Sequence, residues 1–233
     1  MAVMGGRDRW RTMPWMVTFF GILVIPLGVV SIYFIIIQPI VIGTWCTLCL
    51  LAALAMLIMI PFALDEVIAM GQYLWWVHCT GKPVIRTFFQ GGPVDAGAVD
   101  EADALASPST FWKDSVRGMT FPWTLVVSVA IGALQMLTRV LFGASGAMAN
   151  SDHVVGALVI TVAIIATSEV ARAVRLVNAA LGLWLVAAPF LLSGDTPAGR
   201  IASIALGLAL LGLSLPRGRR SPEHYASWDR LVL

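Results

Sequence analysis

The chain has 233 residues, 59% of them hydrophobic and 12% charged, with a mean hydropathy of +0.87 and a net charge of +2. Ordinary soluble domains carry about 25% charged residues, so this composition excludes them and predicts an all-α, polytopic protein whose first partner is the lipid bilayer. The basic residues lie scattered at the ends of apolar runs, which excludes nucleic acid as a partner, and three cysteines are too few for a disulfide framework.

Arg7, Arg9 and Arg11 precede an apolar run over 13–42, too long for a signal-peptide core, which reads as a retained spanning helix kinked at Pro26. A second run covers 45–63 and is closed by Pro61, Asp65 and Glu66; Tyr73, Trp75 and Trp76 then read as an interfacial belt. The apolar pattern stops after residue 78, and 79–119 reads as a cytoplasmic linker. It holds Gly91-Gly92-Pro93, Ser107-Pro108-Ser109, and an acidic group at Asp95, Asp100, Glu101 and Asp103 that reads as a solvated loop. Four more runs follow at 121–142, 154–167, 176–192 and 201–215, for six spanning helices in all. The run at 154–167 needs 168–174 to reach the roughly 20 residues a bilayer requires. The chain divides accordingly into 1–78, a linker at 79–119, a four-helix membrane domain at 120–216 and a tail at 217–233.

Positive charge stays on the cytoplasmic side of a membrane. With both termini in the cytoplasm, only Arg139 and Arg200 fall at the outer face, while Lys82, Arg86, Arg172, Arg175, Arg217 and the other basic residues fall inside. The last four runs also contain a repeat: 128–134 matches 178–184, and Gly156-Ala157-Leu158 matches Gly207-Leu208-Ala209. Each copy reads as a helical hairpin, with Gly132, Gly156, Gly182 and Gly207 allowing close helix approach. Gln135 lies within the third span, Asp152 reads as the N-cap of the fourth helix, and His153 reads as an interfacial first-turn residue.

Recognisable chemistry is confined to Gly43-Thr44-Trp45-Cys46-Thr47-Leu48-Cys49, between the first two runs. Cysteines three apart at a helix start lie on one side, within reach of a disulfide, and the unpaired N–H groups there favour a thiolate. The same charge count sets this pair at the outer face, in the oxidising compartment. Two small buried hydrophobes would give the same spacing. Zinc is not expected, because His78 and Cys79 belong to the opposite face, and Leu50 after the second cysteine excludes a c-type haem.

Two stretches resemble known families. From Gly28-Val29-Val30-Ser31-Ile32-Tyr33 through Cys46-Thr47-Leu48-Cys49 to Met59, the sequence is similar to the last two core helices of the vitamin K epoxide reductase family, over about 15–78. The repeat, with Gly182-Leu183-Trp184-Leu185, Ala187-Ala188-Pro189-Phe190 and the tail Ser227-Trp228-Asp229-Arg230, resembles SPW-repeat membrane domains over about 121–233. The first resemblance implies a quinone-linked thiol oxidoreductase of the cell membrane, with Cys46 exchanging disulfides with an outside dithiol and Cys49 meeting ubiquinone or menaquinone. Tyr33, Gln38 and Trp45 are the polar-tipped candidates to hold that quinone. The family's two earlier core helices, with their second cysteine pair, have no counterpart here. That departure implies a separate thioredoxin-like thiol donor, and completion of the bundle by the repeat helices or by a second copy of the chain. The alternatives are a non-catalytic scaffold carrying a decayed redox half and, more weakly, a small transporter.

Overall fold

A computed structural model describes residues 9–92, 119–216 and 218. Among them every regular element is helical, as expected of apolar segments whose backbone groups must pair within themselves. In chain order these are α1 (Arg9–Thr12), α2 (Pro14–Ile37), α3 (Thr47–Cys79), α4 (Val84–Gln90), α5 (Trp123–Met136), α6 (Thr138–Leu141), α7 (Gly146–Ile165), α8 (Arg175–Leu191) and α9 (Pro197–Ser214). Five segments are long and apolar enough to cross a bilayer: Pro14–Ile42, Thr47–Cys79, Gly146–Ile165, Arg172–Leu191 and Pro197–Ser214. The remaining expected span is divided. Its first piece, α5, has only 14 residues, and α6 continues it after Leu137, whose N–H turns back to the Leu134 carbonyl at 3.1 Å.

Helices α2 and α3 form an antiparallel hairpin whose register is fixed at three levels. Gly28 faces Ile60, Gly21 faces Val67, and the Thr18 hydroxyl meets Met70 Sδ at 2.9 Å. Two glycines seven residues apart thus receive two β-branched side chains seven residues apart, the spacing of a single seam. The helix does not stop where the second run is expected to end, at residue 63. Pro61 forgoes one backbone hydrogen bond, but it is buried, and the helix runs on to Cys79, 33 residues in all. A membrane-length helix is about 30 Å long and α3 is about 50 Å, so its second half extends past the apolar zone.

That far end has its own core. Trp10 packs edge-on against Tyr73 at 5.5 Å and 82°, Arg9 pairs with Glu66, and Val17, Met70 and Val77 close the cluster. Tyr73, expected in an interfacial belt, is therefore interior, whereas Trp75 remains exposed. Within the stretch expected as linker, α4 folds back beside α2 and α3, and the Gly92 N–H donates to the Arg11 carbonyl at 3.2 Å. Residues 93–118, with Asp95, Asp100, Glu101 and Asp103, lie outside the described residues, as do Arg7, Arg217 and the Ser227–Arg230 motif.

The repeat appears as two hairpins, α5–α7 and α8–α9, held by the same contact made twice. A Cβ on Gly132 would lie 2.7 Å from the Gly156 carbonyl oxygen, and one on Gly182 would lie 2.8 Å from that of Gly207. At one end of the bundle Arg175 Nε donates to the Ser214 carbonyl at 3.1 Å, a cation at a helix C-terminus, and Arg172 donates to the Thr120 hydroxyl. At the other end Thr196 caps α9, accepting from the Gly199 N–H at 3.1 Å and donating to the Phe142 carbonyl at 2.9 Å. Asp152 is not the N-cap that the sequence suggests. Helix α7 begins earlier, after Ser145, and carries Asp152 buried two turns in. The α2–α3 hairpin meets the repeat half through α7, which packs on both α2 and α3.

Candidate functional site

The site begins with a proline. Pro39 has no N–H, so the regular helix cannot continue unchanged, and residues Gln38–Ile42 widen into a π-helical turn. Gly43 closes the turn with φ 73°, a left-handed conformation suited to glycine, and its N–H returns to the Gln38 carbonyl at 2.9 Å. The chain then bends at Thr44 and enters α3 after Cys46.

Cys46 is the residue that caps α3. Its backbone is extended, with φ −99° and ψ 107°, and its sulfur accepts the Cys49 N–H at 3.3 Å. A thiol here takes the place usually filled by a serine or aspartate oxygen, satisfying one of the orphan donors of the first turn. Its own N–H is held by Gln38 Oε1 at 3.2 Å. Cys46 and Cys49 are both free thiols and both exposed. Hydrogen bonding from the Cys49 thiol, and then from the Cys49 N–H, holds the Cys46 thiol below its ordinary pKa. The pair is thus two adjacent, accessible sulfurs at a helix N-terminus, of which Cys46 ionises the more readily than a free cysteine.

The three residues expected to hold a quinone are placed unequally. Gln38 is only 4% exposed, and because its oxygen faces an N–H, its Nε2 is left as an uncommitted donor among the described residues. Trp45 is 49% exposed beside the pair, with its indole N–H likewise uncommitted. Tyr33 stands apart, 58% exposed and stacked edge-on with Phe34 at 6.1 Å, and no hydrogen bond or ring contact joins it to the cysteine turn. An apolar cleft of about 280 Å³ opens between α3, α5 and α7, lined by Ile58, Pro61, Phe62, Leu125, Val129 and Ile164. It begins nine residues along α3 from Cys49, roughly 13 Å away, and so is separate from the cysteine turn. Cys79 is exposed at the opposite end of the same helix, where it cannot serve the pair.

Sequence reasoning did not connect His153 to this site. Its ring lies edge-on to Trp45 at 5.5 Å and 69°, and its Nε2 is 3.1 Å from the Ile35 carbonyl. No spacing rule links positions 118 residues apart; the available signal was a titratable side chain within an otherwise apolar run.

Residues 1–64 match the model of the Vitamin K epoxide reductase family, and residues 122–216 match that of the SPW repeat domain. No curated protein and no solved structure matches the chain. The cysteine turn and its Gln38 support fall inside the first match, and the glycine-paired hairpins fall inside the second. The chain therefore carries, in order, a segment matching the Vitamin K epoxide reductase family and a segment matching the SPW repeat domain, in a membrane protein whose described elements are helical.

Proposed function

We propose that this protein is a membrane thiol–disulfide oxidoreductase, taking two electrons from an outside dithiol through Cys46 and Cys49 and passing them to a quinone. The observation that carries the reading is the sulfur-capped turn: exposed thiols with Cys46 Sγ 3.3 Å from the Cys49 N–H, in a segment matching a redox family.

Starting from the Cys46–Cys49 disulfide, a donor thiolate attacks Cys46 Sγ, and Cys49 leaves and takes up a proton. The donor's second thiolate attacks the donor sulfur of the mixed disulfide, the donor's own disulfide forms, and Cys46 leaves as a thiolate, which completes a transfer of two electrons in all. A thiol held below its ordinary pKa is the better leaving group, so the contacts from Cys49 favour this release. When bound, a quinone, ubiquinone or menaquinone, supplies the two-electron, two-proton acceptor that restores the disulfide. Gln38 Nε2 and Trp45 Nε1 are N–H donors of the kind its carbonyl oxygens need, whereas Tyr33 is the weaker candidate for this role. The asymmetry of Lys and Arg favours an outer-face pair with both termini cytoplasmic. On this reading a separate thioredoxin-like protein presents the dithiol. The repeat half completes the bundle through α7, in the place a second copy of the chain would otherwise take.

The test uses the full-length protein reduced, then exposed to quinone. Wild type is expected to form the Cys46–Cys49 disulfide, seen by mass spectrometry, and Cys46→Ser or Cys49→Ser should lower quinone consumption on the order of a hundredfold or more. Failure to form the bond under any oxidant would reverse the reading in favour of a non-catalytic scaffold. In that case a chain with both cysteines changed to Ala complements a deletion as well as wild type does.

A further inference from the structure

We propose that His153, a residue of the repeat half, is a positioning residue for the cysteine pair, fixing the turn from Ile35 to Trp45 so that Cys46 keeps its extended, helix-capping conformation. The proposal rests on the redox reading of that pair and adds to it a part supplied from outside the matched redox segment.

Pro39 stands where a regular helix would place the N–H donor for the Ile35 carbonyl, and it has none to give. His153 Nε2 lies 3.1 Å from that carbonyl. A carbonyl oxygen only accepts, so Nε2 carries the proton, which fixes the orientation of the ring. The same ring presses edge-on against Trp45, the residue immediately before Cys46. Residues 43–46 are tied to the flanking helices at their ends, by the Gly43 N–H on the Gln38 carbonyl at 2.9 Å and the Leu50 N–H on the Cys46 carbonyl at 3.0 Å. Their polar and aromatic anchors are Gln38 on the Cys46 N–H and His153 on the Trp45 ring. The two anchors hold successive residues, one from the π-helical turn that follows α2 and one from α7.

The repeat supplies its own comparison. The second hairpin's counterpart of His153, counted from the matched glycines 156 and 207, is Ile204, on α9, which packs chiefly on α8 and α5. A histidine therefore stands on the helix that packs on α2 and α3, and an aliphatic residue stands at the equivalent place in the second hairpin.

The experiment measures two quantities on the full-length protein: the dithiol–disulfide equilibrium of Cys46–Cys49 against a thiol redox buffer, and the rate of Cys46 alkylation at neutral pH. His153→Ala is expected to shift the equilibrium by about threefold to tenfold, the weight of one hydrogen bond, and to change the alkylation rate in the same range, with thermal stability near wild type. His153→Phe keeps the ring and loses the donor, and should fall between the two; it also serves if His153→Ala does not fold. His153→Gln, which restores a donor near Nε2, should recover part of the shift. A folded His153→Ala or His153→Phe protein with both quantities within twofold of wild type overturns the proposal, as does a variant whose only defect is lower thermal stability. Alkylation needs no redox partner, so a wild-type chain that fails to form the disulfide sinks the redox reading, while the alkylation series still decides the role of His153.

Discussion

Cys46 caps α3 with its sulfur, and on the proposed function that same sulfur exchanges disulfides, so the capping geometry bears on its reactivity. Because hydrogen bonds from Cys49 favour the thiolate, reduced Cys46 should ionise at lower pH than a free cysteine, whose pKa is about 8.5. Its alkylation rate should reach half its plateau below that value and decline as the pH falls through the midpoint. Changing Cys49 to Ala removes the thiol contact and leaves the backbone N–H, so the midpoint should move up toward the free value. Peptide-resolved mass spectrometry after timed iodoacetamide treatment reads both, and an unmoved midpoint would show that the Cys49 thiol plays no part. The CxxC and Gln38 were legible in the sequence because local spacing determines their placement. Tyr33 was selected by proximity along the chain; its ring contact is with Phe34, and none joins it to the cysteine turn.

At the scale of the helices, glycine contacts differ by what they touch. A Cβ on Gly132 meets the backbone oxygen of Gly156, which can move only with its helix; a Cβ on Gly28 meets the Cδ1 of Ile60 at 2.5 Å, the mobile tip of a side chain. Gly132→Ala should therefore destabilise the purified protein by about 1–3 kcal/mol, as overpacking does. Gly28→Ala should cost less than about 1 kcal/mol, since Ile60 can turn aside and alanine favours the helix by a similar amount. A thermal melt of both variants in one detergent tests the ranking, and equal losses would contradict it. The repeat and its glycines were readable because hairpin copies preserve spacing. The ends of helices were less so. Pro61 looks like a stop signal, yet burial of Ile60, Ala63 and Met70 carries α3 through it, and the division at Leu137 was marked in the sequence by nothing stronger than the polar residues Gln135, Thr138 and Arg139 around it.

For the whole molecule, the two cysteine positions of α3 lie at opposite ends of one rod. A membrane-impermeant maleimide added to intact cells should label Cys46 and Cys49 only after reduction, and Cys79 only after the membrane is opened. Labelling of Cys79 in intact cells would invert the topology. The division into two modules was legible, but their junction was not, because it depends on α7 packing against α2 and α3 and on a ring contact between distant residues. The length of α3 has a further mechanical consequence. Three interlocked levels prevent α2 and α3 from sliding past each other, and the foot of the rod is clasped by Trp10 and Arg9. A thicker or thinner bilayer is then met by the hairpin as one body, through tilt or displacement of both helices together, so a change at one end of α3 is carried to the cysteine turn at the other.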